Sequence, residues 1–267
     1  MELSIYVDGT PTDWLSNDLT TKAHTVALVC APDANNLSDL IDCYSKQQKN
    51  GIKQWKSLAR GGNSRREHAF NAFFSCISKD KVWLNVAVYR EDELRNSLKF
   101  LCSEYGERGI GFSLIENEKY KHEFVDFNGY HLIEDKIIKI LPMLFLGWLI
   151  NGMVVFYRNA IENDFPGSSR ISINVFLNYL SGDNDSRNSG EKLFQQFLNY
   201  DGYQVELTSL KDSPELIFAD NAAGIFSECL SNLLWQKKLA TVPDRSCFTW
   251  KEFKIVDGEL LGHKVEF

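Results

Sequence analysis

Leu3-Ser4-Ile5-Tyr6-Val7-Asp8-Gly9-Thr10-Pro11 opens the chain with an alternating run of strand formers that stops at an acid and a turn cluster. The alternation predicts a strand, and Asp8-Gly9 followed by Thr10-Pro11 predicts its end. A carboxylate at the end of a buried strand, backed by a glycine turn, is a rigid place to hold a metal ion. Asp-Gly is also among the commonest plain turns, so Asp8 carries both readings.

Working outward, residues 25–31 (TVALVCA) form an apolar run of strand length. A helix with Leu37, Leu40, Ile41 and Tyr44 on one face follows, and Asn50-Gly51 breaks it. Asn63-Ser64 predicts a second helix start, with Glu67 as capping-box partner and Phe70, Phe73, Phe74 and Ile77 as its apolar face. Strands are expected over 82–89, 110–115, 171–177 and 204–207, and helices over 91–102, 130–159, 191–198 and 215–235. Residues 248–267 alternate around Asp257-Gly258 and read as a hairpin. Adjacent strands first and crossover helices later predict an α/β fold, a mixed sheet flanked by helices. The expected division is one α/β domain over 1–240 with a C-terminal hairpin extension over 241–267.

Among the 267 residues, 44% are hydrophobic and 13% aromatic, which is ample for a packed core and excludes wholesale disorder. Lys+Arg 29 against Asp+Glu 36 gives a net charge of −7, so any contact with nucleic acid must be local. The six cysteines form no Cys-x-x-Cys pair, and no Cys or His spacing suits zinc. Without a secretory leader at the start, a cytoplasmic, reduced protein is expected. Residues 140–157 approach the length of a membrane span, but Pro142, Gly147, Asn151 and Gly152 interrupt them. A buried central helix, and no membrane contact, is the expectation, with a spanning helix as the alternative. His24, His68, His122, His131 and His263 share no triad spacing, and no nucleophile elbow appears. The glycines of 106–111 follow a helix rather than a strand, against a dinucleotide site.

Two further features carry chemistry. Asp220 sits in an apolar helical run beside Ala219, Ala222, Ala223 and Gly224, small residues that let a helix approach a sheet closely. An ionised acid there must be paired or coordinated unless it lies on the solvent face. Second, Lys46, Lys49, Lys53, Lys56, Arg60, Arg65 and Arg66 form a basic run without an acid, containing Trp55 and Gly61-Gly62. Such a loop neutralises phosphates while a tryptophan stacks on a base; a solvated loop, or one facing an acidic protein partner, has the same composition.

The order of these segments resembles the bacterial ribonuclease-H-like proteins grouped as domain-of-unknown-function family 3800. There the first strand ends in Asp-Glu-Ser-Gly, a second apolar strand follows, a Lys-containing segment precedes a helix, and a late strand carries another Asp. The final helix begins with Ser-x-x-x-x-Gln-x-Ala-Asp or close variants. Ile5-Tyr6-Val7-Asp8-Gly9-Thr10, residues 25–31, Ile52-Lys53-Gln54-Trp55-Lys56, and Ser213 with Ile217-Phe218-Ala219-Asp220 are the matching stretches. The likeness of order spans roughly residues 3–235. The departures are Gly9 in place of the family's Glu, Asn178 in place of the late Asp, and Ile217 in place of Gln. The resemblance implies a ribonuclease-H-like fold acting on nucleic acid as a Mg²⁺- or Mn²⁺-dependent phosphodiesterase. Asp8 and Asp220 would ligate metal, Asn178 would be a weaker third group, and Lys53, Trp55, Lys56, Arg60, Arg65 and Arg66 would bind phosphates and bases. Ribonuclease-H-like chemistry clamps two divalent ions about 4 Å apart between several carboxylates. Asp183, Asp185 or Asp212 would have to replace the missing ones. The alternative is a catalytically inactive member that serves as a binding or assembly subunit with a protein partner. A setting in bacterial antiviral defence is implied by the resemblance only.

Overall fold

The computed structural model describes residues 2–16, 19–31, 34–48, 51–77, 82–93, 172–177, 204–209, 213–256 and 259–265. Alternating and continuous apolar runs pair as expected: β1 (Glu2–Ser16) and β2 (Leu19–Ala31) are antiparallel, and β3 (Trp83–Arg90) pairs antiparallel with β2. On the other side of β1, β4 (Ser172–Leu177) runs parallel to its first half, and β5 (Gln204–Ser209) runs parallel to β4. Beyond β3, β6 (Phe248–Val256) is parallel to β3, and β7 (Glu259–Lys264) turns back antiparallel on β6. The result is one seven-stranded mixed sheet in the order β5-β4-β1-β2-β3-β6-β7. The C-terminal hairpin is therefore continuous with this sheet, and Phe248 and Trp250 pack into the same core.

The turn expected at Asp8-Gly9-Thr10-Pro11 is absent, because β1 continues to Ser16. Pairing with β2 overrides the local turn chemistry. Pro11 is tolerated because it faces His24 on β2, while beyond Val7 no described strand lies on the other side of β1. Its missing N–H therefore breaks no ladder there.

Five helices are described. α1 (Ala34–Gln47) buries Leu37, Leu40, Ile41 and Tyr44, the face that its spacing predicted. α2 (Trp55–Ala59) is a single turn, and α3 (Asn63–Cys76) buries Phe70 and Phe73. The expected capping box at α3 does not form: Gly62 occupies the cap at φ 85°, and no side chain caps the helix. Glu67 instead pairs with Lys238 at 2.6 Å. α4 (Pro214–Ser231) starts where Ser213 Oγ accepts the Leu216 N–H at 3.2 Å and Pro214 pre-sets the first turn. The single helix expected over 215–235 is two, because Asn232 leaves helical geometry and its side chain accepts the Leu234 N–H at 2.9 Å. That cap begins α5 (Leu233–Ala240).

Strand parity sorts the core. Tyr6, Ala27, Val29, Leu84, Val86 and Trp250 point to the face covered by α4, α1 and α3. Ile5, Val7, Val26, Leu28 and Cys30 point the other way and are equally buried. α4 is buried on nearly all sides, with Ala219, Ala222 and Ala223 fully enclosed and Phe218 stacked on Phe73 at 4.9 Å. It is the central helix among the described residues. The segment 140–157 offered for that role lies outside them, as do the expected elements over 94–102, 110–115, 130–159 and 191–198. No described helix is long and apolar enough to cross a membrane. The five described cysteines are free thiols, three of them buried.

Two predictions follow from packing. A Cβ at Gly224 would lie 2.1 Å from Trp55 Cγ, whereas one at Gly61 meets only the flexible Arg65 side chain. Gly224→Ala should cost about 1–3 kcal/mol in urea unfolding, and Gly61→Ala less than about 0.5 kcal/mol. The second concerns His24, which is stacked on Tyr89 at 5.1 Å and bonded to Glu91 at 3.0 Å. Burial, opposed by Glu91, holds its pKa below the ordinary 6.5. The unfolded chain then takes up the proton first, so stability should fall as pH drops through 6.5. In melting curves across that range, His24→Phe, which keeps the stacked ring, should lose less than the wild type.

Candidate nucleic-acid interface

Asp8 stands in an unexpected place. Its register partners run Asp8, Ala27, Val86, Trp250 across four strands, so the carboxylate occupies one end of an apolar row on the helix-covered face. It is 6% exposed, and its Oδ1 accepts the Gly9 N–H at 2.7 Å. An acid kept on such a face is costly and is a mark of a functional position.

Asp220 and Asn221 fasten the basic segment to α4. Asp220 Oδ2 accepts the backbone N–H of Trp55 at 2.6 Å, across 165 positions of sequence. The fully buried Asn221 donates from Nδ2 to the Lys53 carbonyl at 3.0 Å and to the Ile217 carbonyl at 2.9 Å. Burial raises the Asp220 pKa and the Trp55 N–H opposes the rise. Asn221 is a residue that sequence reasoning missed. The signal was a polar side chain between Ile217-Phe218 and Ala222-Ala223, where an amide must find partners.

The segment so fastened differs from the loop that the sequence suggested. Trp55 is 7% exposed, so it has no face open to a base. Its ring fits the notch at Gly224 and meets Trp235 edge-on at 6.0 Å. Arg66 is also committed: its guanidinium pairs with Glu228 and lies 5.8 Å over the Trp55 ring. These two belong to the core and its rim. Lys46, Lys53, Lys56, Arg60 and Arg65 are exposed, and no ion pair among the described residues engages them. The Lys53 and Trp55 backbone is thus pinned while the cationic side chains stay free. His68, not singled out earlier, stands beside them, three residues after Arg65 on the same helical face. Its Nε2 lies 2.6 Å from the Gln47 carbonyl.

Of the two acids read as metal ligands, Asp8 accepts the Gly9 N–H and Asp220 the Trp55 N–H. No group of three His, Cys, Asp or Glu that could hold an ion is found among the described residues. Asn178, Asp183, Asp185 and Asp212 lie outside the described residues. The donors described do not make up a two-ion site. No protein-family model matches the chain, and no curated protein matches it in sequence.

Asp220 can be tested apart from any ligand. Asp220→Ala removes the acceptor of a buried N–H and should lower stability by about 1–3 kcal/mol. Asp220→Asn keeps an accepting oxygen and removes a charge that burial penalises. Because the folded acid holds its proton above the ordinary 3.8, the wild type loses stability as pH rises through the raised value. Relative to it, Asp220→Asn should gain between about pH 4 and about pH 7, read by urea unfolding.

Proposed function

We propose that this chain is a nucleic-acid-binding protein of ribonuclease-H-like architecture, with Lys53, Lys56, Arg60 and Arg65 as its phosphate-contacting surface. The observation that carries the reading is the fastened segment: Lys53, Lys56, Arg60 and Arg65 are exposed cations on a backbone tied to α4 by Asp220 and Asn221. Prepaid ordering of that backbone lowers the entropic cost of engaging phosphates. In a chain of net charge −7 such a surface directs binding to one face. The architecture is supported by three consecutive antiparallel strands, two later parallel strands beside β1, and α4 lying on β1. An antiviral-defence setting stays part of the proposal through the family resemblance alone.

One observation favours a catalytic reading as the second. Asp8 is a buried acid on the α4 side of the first strand, where a Mg²⁺- or Mn²⁺-dependent phosphodiesterase of this architecture would hold its ion. Against it, Asp220 is a fastener, so the binding or assembly reading comes first. No catalytic step is derived from these donors.

Four exposed cations on phosphates should give a slope of log affinity against log salt of roughly −3 on single strands. Lys56→Gln or Arg60→Gln should each make it shallower by about 0.7. An affinity for single- and double-stranded nucleic acid that ignores salt would contradict the surface. Calorimetric titration with Mn²⁺ tests the second reading. Ion binding by the wild type that Asp8→Asn abolishes would support it, and equal behaviour of the two would end it.

A further inference from the structure

A cavity of about 320 Å³ opens where the end of α1, the segment before α2 and the start of α3 meet. Its walls carry Lys53, Ser64, Arg65 and His68, with Gln48 and Gly51 at the α1 side, and no acid is among these described lining residues. The walls are fixed to one another. Gln47 joins α1 to α3 through its carbonyl to His68, its Oε1 to Ser75 at 2.8 Å and its Nε2 to Cys76 at 3.0 Å. Asn221 holds the third wall by the Lys53 carbonyl.

Charge in this cavity is unbalanced in one direction. Among the described residues, Lys53 and Arg65 make no ion pair. The first turn of α3 contains no acid and no capping side chain. A helix start favours negative charge, so Arg65 there breaks the usual preference and adds a cation where the backbone is already positive. Lys53, from the segment before α2, and Arg65, from the start of α3, thus line one concave space.

We propose that this cavity takes the terminal phosphate of a nucleic-acid strand. The inference rests on the nucleic-acid reading above and narrows it. A phosphomonoester has three acceptor oxygens and about −1.5 to −2 charges, matched by Lys53, Arg65 and the helix start. A diester inside a strand carries only about one charge and two unesterified oxygens, so it engages two cations and a helix start less fully. The volume lies at the small end of ligand sites, enough for a strand end and too small for a duplex.

The test uses short single strands of one sequence carrying a 5′-phosphate, a 3′-phosphate, or hydroxyls at both ends, with binding read by fluorescence anisotropy. One phosphorylated strand should bind about tenfold more tightly than the hydroxyl-ended strand. Lys53→Gln and Arg65→Gln should abolish that preference. So should Gly61→Ala, whose Cβ would lie 2.2 Å from Arg65 Cδ and displace that side chain. Lys56→Gln and Arg60→Gln should weaken all three strands alike and leave the ratio intact. Equal, salt-dependent binding of all three strands overturns the terminal-phosphate site while the nucleic-acid reading stands. No binding of any strand overturns both. A nucleoside monophosphate that competes as well as the phosphorylated strand overturns the strand end in favour of a free nucleotide.

Discussion

The hydrogen bond from the Trp55 backbone N–H to Asp220 is the constraint on which the rest of this surface depends. It joins the start of α2 to the central helix, at a point where the indole of the same residue fills the notch left by Gly224. A glycine inside a helix costs about 1 kcal/mol relative to alanine, and here the space is occupied by an aromatic ring. Asn221 adds a second tie one residue along. Together they convert a glycine-flanked basic run into a defined ridge whose cations point outward.

That arrangement explains why Asp220 and Asn221 persist in the mainly apolar middle of α4. Ala219, Ala222 and Ala223 allow close approach to the sheet, while Asp220 and Asn221 serve the neighbouring segment. A buried carboxylate is weak support for stability, since burial penalises its charged form. Its value is positional: it specifies where the backbone of residues 53–55 lies. Asp8 lies on the first strand, buried on the helix-covered face, with its Oδ1 accepting the Gly9 N–H.

Much of the fold was legible because hydrophobic period speaks directly of burial. The α1 face of Leu37, Leu40, Ile41 and Tyr44, the apolar core of β2 and the start of α4 at Ser213 were all readable. What was hidden depended on partners distant in sequence. Asp8-Gly9-Thr10-Pro11 has turn chemistry, yet thirteen pairings with β2 outweigh it. Glu67 looked like a capping partner until Lys238 claimed it. Trp55 in a basic run suggested a stacking platform, and only the Gly224 notch reveals it as core. The break at Asn232 was a local signal overlooked, since Asn is a favoured cap and α5 begins on it.

Hydrogen exchange at the Trp55 amide tests the central claim most directly, because that N–H is the donor of the tie itself. If the segment is fastened as described, this amide should exchange only through a large opening, with protection approaching that of α4 amides such as those of Ala222 and Ala223. Exchange at the rate of an open loop, with α4 still protected, would mean that the basic ridge is not pinned and would contradict the account.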